Sequence, residues 1–131
     1  MTPYALLLQV CGLSQREAAD LHGVRLDTVK SWVAGRRSAN AGVIAQLGRL
    51  HSEISCAAEE ALDVLMQVPA GAEIEIGYPA DDHEAQALGL PSVGAWRAMA
   101  GQLIAALDRP VILVPRGSTP ATAAAADAHG L

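Results

Sequence analysis

The chain contains no phenylalanine, and its aromatics amount to two tryptophans and two tyrosines in 131 residues. Apolar residues make up 51% of the sequence, but much of that share is alanine. Any core must therefore be thin and closely packed, and small cores often gain stability by oligomerising. No apolar run approaches the roughly 18 residues needed to span a bilayer. The opening MTPYALLLQVCGLSQRE lacks the basic region of a signal peptide, so the expectation is a soluble, cytoplasmic protein. Cysteine is scarce. Cys11 and Cys56 lie far apart with no CxxC, which reads as two buried thiols in a reducing compartment rather than a disulfide. Also missing are a Gly-rich phosphate loop, a G-x-S-x-G nucleophile motif and a cysteine with a base partner nearby, so the chain carries no enzyme or cofactor signature. Asp81-Asp82-His83-Glu84 looks like a metal cluster, but contiguous residues cannot all converge on one ion. The scattered His22, His51 and His129 do not complete it, and a charged helix start is the expected role.

A net charge of −5 argues at first sight against a polyanionic partner. The distribution reverses that impression. Residues 1–50 carry six cations against three carboxylates, net +3, whereas residues 51–131 carry three arginines against eleven carboxylates, net −8. A basic head on an acidic body is the asymmetry expected when one end meets nucleic acid.

Pro3 suits the first turn of a helix running to about Cys11, and Gly12 ends it. Ser14 and Glu17 form an S-x-x-E capping box that starts a second helix through about His22. Gly23 turns the chain, and a third helix spans roughly Leu26 to Ala34 until Gly35 stops it. From about Asn40 to Val68, Val43, Ile44, Leu47, Leu50, Ile54, Ala58, Ala61, Leu62 and Leu65 keep helical spacing. After Pro69-Ala70-Gly71 the pattern changes. Residues 72–78 alternate as a half-exposed strand, a short helix capped by Asp81 or Asp82 follows, and Pro91 to Leu107 is a strong helix. On it Trp96, Met99, Leu103 and Leu107 form an apolar stripe, expected to be core or the seam of a two-fold dimer. Pro110 to Pro115 is a short apolar strand. The tail, residues 117–131, has no core-forming pattern and is expected to be frayed.

The stretch SQREAADLHGVRLDTVKSWVAGRRS, Ser14 to Ser38, thus holds two helices joined by a turn of about three residues. They must cross steeply and nearly touch, and Ala18-Ala19 supplies small side chains for the crossing. Val24, Val29 and Trp32 are spaced to pack back on Leu21 and the first helix. Arg25, Asp27, Thr28, Lys30 and Ser31 are left on the outer face. This is a helix-turn-helix arrangement, whose second helix lies in the major groove. The outer-face residues are types that read base edges. Arg36 and Arg37, just past that helix, are placed to neutralise phosphates. Gln15 and Arg16 sit at a helix N-terminus, where amides and the dipole favour a phosphate.

The segment resembles the helix-turn-helix of the lambda-repressor/Cro-like (XRE-type) regulators. Gln15, Ala19, Gly23, Val24, Thr28, Val29, Trp32 and the Gly35-Arg36-Arg37 exit carry the match. IEIGYPADDHEAQALGLPSVGAWRAMAGQLIAAL is similar to the C-terminal half of the YdiL-like/anti-CRISPR-associated repressors, with Tyr78 ending a strand and Trp96-Arg97 in a dimerisation helix. Two positions depart from the pattern. His22 stands where a buried aliphatic is usual, and Arg25 stands where a Ser or Thr often caps the recognition helix, so the cap is expected to shift to Asp27.

The expected fold is mainly α with a small α+β C-terminal part: a helix-turn-helix bundle with a long final helix over residues 1–68, and an α+β dimerisation region with short strands over residues 69–116. The expected function is that of a homodimeric, sequence-specific regulator, a repressor by the resemblance, on double-stranded DNA with an inverted-repeat operator. The rival expectation is an antitoxin-like or adaptor module whose acidic half grips a protein partner. That module would have no need of Arg25, Lys30, Arg36 and Arg37.

Overall fold

The computed structural model describes residues 1–116, so the tail expectation lies outside the described residues. Six helices and two strands follow in the order α1 (Pro3–Val10), α2 (Gln15–His22), α3 (Leu26–Ala34), α4 (Ala41–Leu65), β1 (Ile74–Tyr78), α5 (Asp82–Ala87), α6 (Val93–Leu107) and β2 (Val111–Pro115). The fold is mainly helical, with a small sheet near the C-terminal end of the described chain.

The helix boundaries follow from caps. Thr2, Ser14, Asn40, Asp81 and Ser92 each accept a hydrogen bond from a first-turn amide of the helix they precede. Ser14 and Glu17 complete the reciprocal capping box, with Glu17 N–H donating to Ser14 Oγ at 3.1 Å and Ser14 N–H to Glu17 Oε1 at 2.9 Å. Gly23 and Gly35 terminate α2 and α3 with φ of 69° and 80°, a left-handed turn that only glycine adopts without strain. The acidic start of α5 has structural work. Asp81 caps Glu84, Glu84 Oε2 accepts from Ala80 N–H, and Asp82 Oδ1 accepts from Val93 N–H at the head of α6. Among the described residues no three or more histidine, cysteine, aspartate or glutamate side chains are grouped as a metal site would need.

β1 and β2 pair in parallel, Ile74 with Val111 through Tyr78 with Pro115. Parallel strands need a crossover, and α5 with α6 provides it. Arg109 secures the far end, its guanidinium donating to Val68 O and Pro69 O at 2.8 Å and to Ala72 O at 3.2 Å. It thereby occupies carbonyls in the turn that follows α4.

One core runs through the parts divided at residue 68 in the sequence. Tyr4, Cys11, Val29 and Trp32 belong to the same buried cluster as Leu47, Ile54, Ile74, Trp96 and Leu107. α6 packs along α4, and the stripe expected to be core or a dimer seam belongs to the buried cluster that the two helices share. Trp96, Met99, Leu103 and Leu107 are only 2–9% exposed, so they have no surface left to offer a second copy. Cys56 also departs from expectation: Cys11 is buried but Cys56 is exposed, on the solvent side of α4 between the buried rows of Ile54 and Ala58.

Candidate nucleic-acid interface

Ala18 and Ala19 are buried where α2 meets α3, leaving room for the two backbones to approach. Val29 and Trp32 face inward from α3, with Trp32 edge-on to Tyr4 at a ring-centroid distance of 5.4 Å. An aromatic pair of that geometry adds about 0.5–1.5 kcal/mol beyond the area it buries. Thr2 Oγ1 donates to Val33 O at 3.1 Å, tying the start of α1 to the last turn of α3. Thr2 was not singled out in the sequence, although a threonine just before a proline is a recognisable helix start.

His22 does not behave as a misplaced aliphatic. Gln46 Nε2 donates to Leu21 O at 3.2 Å, which directs Gln46 Oε1 at His22 Nδ1, 2.6 Å away. An amide oxygen only accepts, so Nδ1 carries the ring proton. In the neutral ring Nε2 then accepts from the Tyr4 hydroxyl at 3.0 Å. The chain from Tyr4 through His22 and Gln46 to Leu21 links α1, α2 and α4, with the His22 and Trp32 rings 6.0 Å apart at its centre. Burial pushes the Tyr4 hydroxyl up to about 12. The α3 frame is held by directional contacts as well as by packing.

The outward surface of α3 is graded. Arg25, Asp27 and Lys30 are exposed, while Thr28 and Ser31 are half-buried at its margins. Arg25 occupies the cap position without a capping side chain, and Asp27 does not take over that role, since no side chain caps α3. Asp27 instead sits within the first turn of α3, where its charge is favoured by the positive end of the helix dipole. The first amides of α3 consequently lack a side-chain partner. At α2 the capping box occupies Ser14 and Glu17, which leaves the amides of Gln15 and Arg16 as the uncapped pair. Arg16 is exposed and Gln15 half-buried. Past Gly35, the amides of Arg36 and Arg37 bond back to Ser31 O at 3.0 and 3.4 Å, and both side chains are exposed.

Arg25, Asp27 and Lys30 on α3, Arg16 at the α2 N-terminus, and Arg36 and Arg37 past the end of α3 are thus all exposed, a set of five cations and one carboxylate. No protein-family model matches the chain, and no curated protein matches it significantly.

Proposed function

We propose that the chain is a sequence-specific DNA-binding transcriptional regulator, acting as a homodimer and as a repressor on an inverted-repeat operator. One observation carries the reading: α3 buries Val29 and Trp32 while exposing Arg25, Asp27 and Lys30, with Arg36 and Arg37 exposed just beyond it. A helix serving only a bundle has no need of that surface. In the proposed complex α3 enters the major groove, where Arg25, Asp27, Thr28, Lys30 and Ser31 meet base edges. Gln15, Arg16, Arg36 and Arg37 fix the register on phosphates. The acidic C-terminal half faces away and weakens non-specific binding. The reading needs neither a catalytic step nor a cofactor. It places the protein in the cytoplasm, and among the described residues no helix is long and apolar enough to cross a membrane.

Two copies would present two such helices to half-sites about 34–36 Å apart, or a multiple of that. The test is selection of bound sequences from a random duplex library at two salt concentrations. Enrichment of an inverted repeat with half-site centres one or two helical turns apart is expected. Enrichment of nothing, with only weak and steeply salt-dependent binding, overturns the reading and favours an adaptor for a protein partner.

A further inference from the structure

Among the described residues the sheet has two strands, so β2 has one edge against β1 and one edge with no strand beside it. We propose that this second edge is the dimer seam, pairing antiparallel with β2 of a second copy so that the two Leu113 residues oppose each other across a two-fold axis. The sheet would become four-stranded, β1-β2 from each copy. The proposal rests on the homodimer of the preceding subsection for its two-fold symmetry and on the strand itself for its location.

The backbone supplies the first argument. Arg116 N–H donates to Tyr78 O at 2.9 Å, so the residue after the strand points its amide at β1. Direction alternates along a strand, which aims Ile112 and Val114 at β1 and turns Val111, Leu113 and Pro115 outward. Proline is tolerated in a strand where its missing N–H faces an open edge, and Pro115 meets that condition. Pairing about Leu113 overlaps the whole strand. Each Leu113 N–H then meets the other copy's Leu113 carbonyl, and each Val111 N–H meets a Pro115 carbonyl. Every outward donor is satisfied, and only the Val111 carbonyl, opposite the proline nitrogen at the end of the seam, is left without a donor from the other strand.

Side chains supply the second. β2 reads Val-Ile-Leu-Val-Pro with no charge, and Ile112 and Leu113 are 45% and 48% exposed. Edge strands that stay unpaired usually carry a charge, a bulge or a cover, and this one has no charge to discourage pairing. The opposite edge of the sheet is unsuited to self-pairing. Glu75 lies on β1 and Glu73 just before it, both exposed, so two copies would crowd four carboxylates onto one seam. An isologous contact must be self-complementary, and only the β2 edge is.

The test uses the full chain with Cys56→Ser, which removes the exposed thiol. Directly opposed residues in such a pair have Cα atoms about 5.5 Å apart, within disulfide reach. Leu113→Cys should oxidise to a covalent dimer, whereas Ile112→Cys, displaced from its own counterpart by the register, should not. Leu113→Asp places two carboxylates in opposition, and sedimentation should show the dimer dissociation constant rising about a hundredfold with the circular dichroism unchanged. A wild-type monomer, an Ile112→Cys cross-link in place of the Leu113→Cys one, or an undiminished Leu113→Asp dimer overturns the proposal. Duplex selection on the wild type separates the two claims. Cross-linking without an enriched operator leaves the seam and removes the DNA reading, while an inverted repeat bound by a dimer indifferent to β2 does the reverse.

Discussion

Gly12 and Gly94 meet backbone to backbone: a methyl group on either would overlap the carbonyl of the other. This contact joins the turn between α1 and α2 to the first turn of α6, and so joins the proposed DNA-binding head to the C-terminal half. Gly94 has no positive φ, so its requirement is purely one of space, whereas Gly12 adds a φ of +70°.

Gly94→Ala should therefore destabilise the fold by about 1–3 kcal/mol, since the obstructing atoms are backbone and cannot rotate away. Gly101→Ala in the same helix meets nothing within 4 Å and should stabilise it by about 0.5–1 kcal/mol, the usual difference between glycine and alanine in a helix. Chemical denaturation of the two variants beside wild type checks both signs. A neutral Gly94→Ala would mean that the two segments are not in close contact.

These glycines also indicate what could be read from the sequence. The boundaries of α3, the glycines that end α2 and α3, and the capping box of α2 were legible because each depends on neighbours a few residues away. Gly12 was legible only as a helix end, because its partner lies on α6, distant in sequence. The same limit explains the Trp96–Leu107 stripe: helical spacing shows that a face is buried but not what buries it, and here α4 does. His22 looked like a departure because Tyr4 and Gln46, which satisfy it, come from other helices. Asp27 was expected to cap α3 from its residue type, yet Arg25 holds the cap position and Asp27 lies within the helix.

Tyr4 gives a pH dependence. Burial raises its hydroxyl from 10.0 to about 12, so the folded state favours the neutral form. That contribution is complete below pH 10 and is lost as the pH rises through about 12. Stability should fall over that alkaline interval, with the tyrosinate absorbance of Tyr4 appearing at its upper end. Tyr4→Phe should remove this part of the fall and cost about 1 kcal/mol at neutral pH, because His22 Nε2 loses its donor. An unchanged alkaline profile in Tyr4→Phe would refute the assignment.

The two thiols should react at very different rates. Cys11 is buried, its Sγ donates to Leu47 O at 3.6 Å, and burial raises its pKa, so little thiolate forms and reagent cannot reach it. Cys56 is exposed on α4. A thiol-specific chromogenic reagent should titrate one group per chain promptly in the native state and two in denaturant. Two prompt groups would show that the core around Cys11 opens readily.

Arg36 and Arg37 separate phosphate binding from base readout. If both meet phosphates, Arg36→Ala with Arg37→Ala should weaken binding to selected and scrambled duplexes alike, and reduce the salt slope by about two. Lys30→Ala should instead cost about 1–3 kcal/mol on the selected duplex and little on a scrambled one. Fluorescence anisotropy on both duplexes over a salt series distinguishes the cases, and binding indifferent to all three residues would remove that surface from the interface.

Arg25 should show opposite effects on stability and binding. It holds the cap position of α3 with β-region angles, φ −73° and ψ 149°, and makes no capping hydrogen bond. Serine at that position could accept from an amide of the first turn, so Arg25→Ser should stabilise the free protein by about 1 kcal/mol. The same change removes an exposed cation from the proposed groove-facing end of the helix, and affinity for the selected operator should drop by about 1–3 kcal/mol. Thermal unfolding without DNA and titration with it measure the two effects independently. A variant both more stable and equally tight in binding would show that Arg25 contacts nothing in the complex. A less stable variant would instead mean that the arginine side chain supports α3 by packing along it. The interface reading requires the two measurements to move in opposite directions.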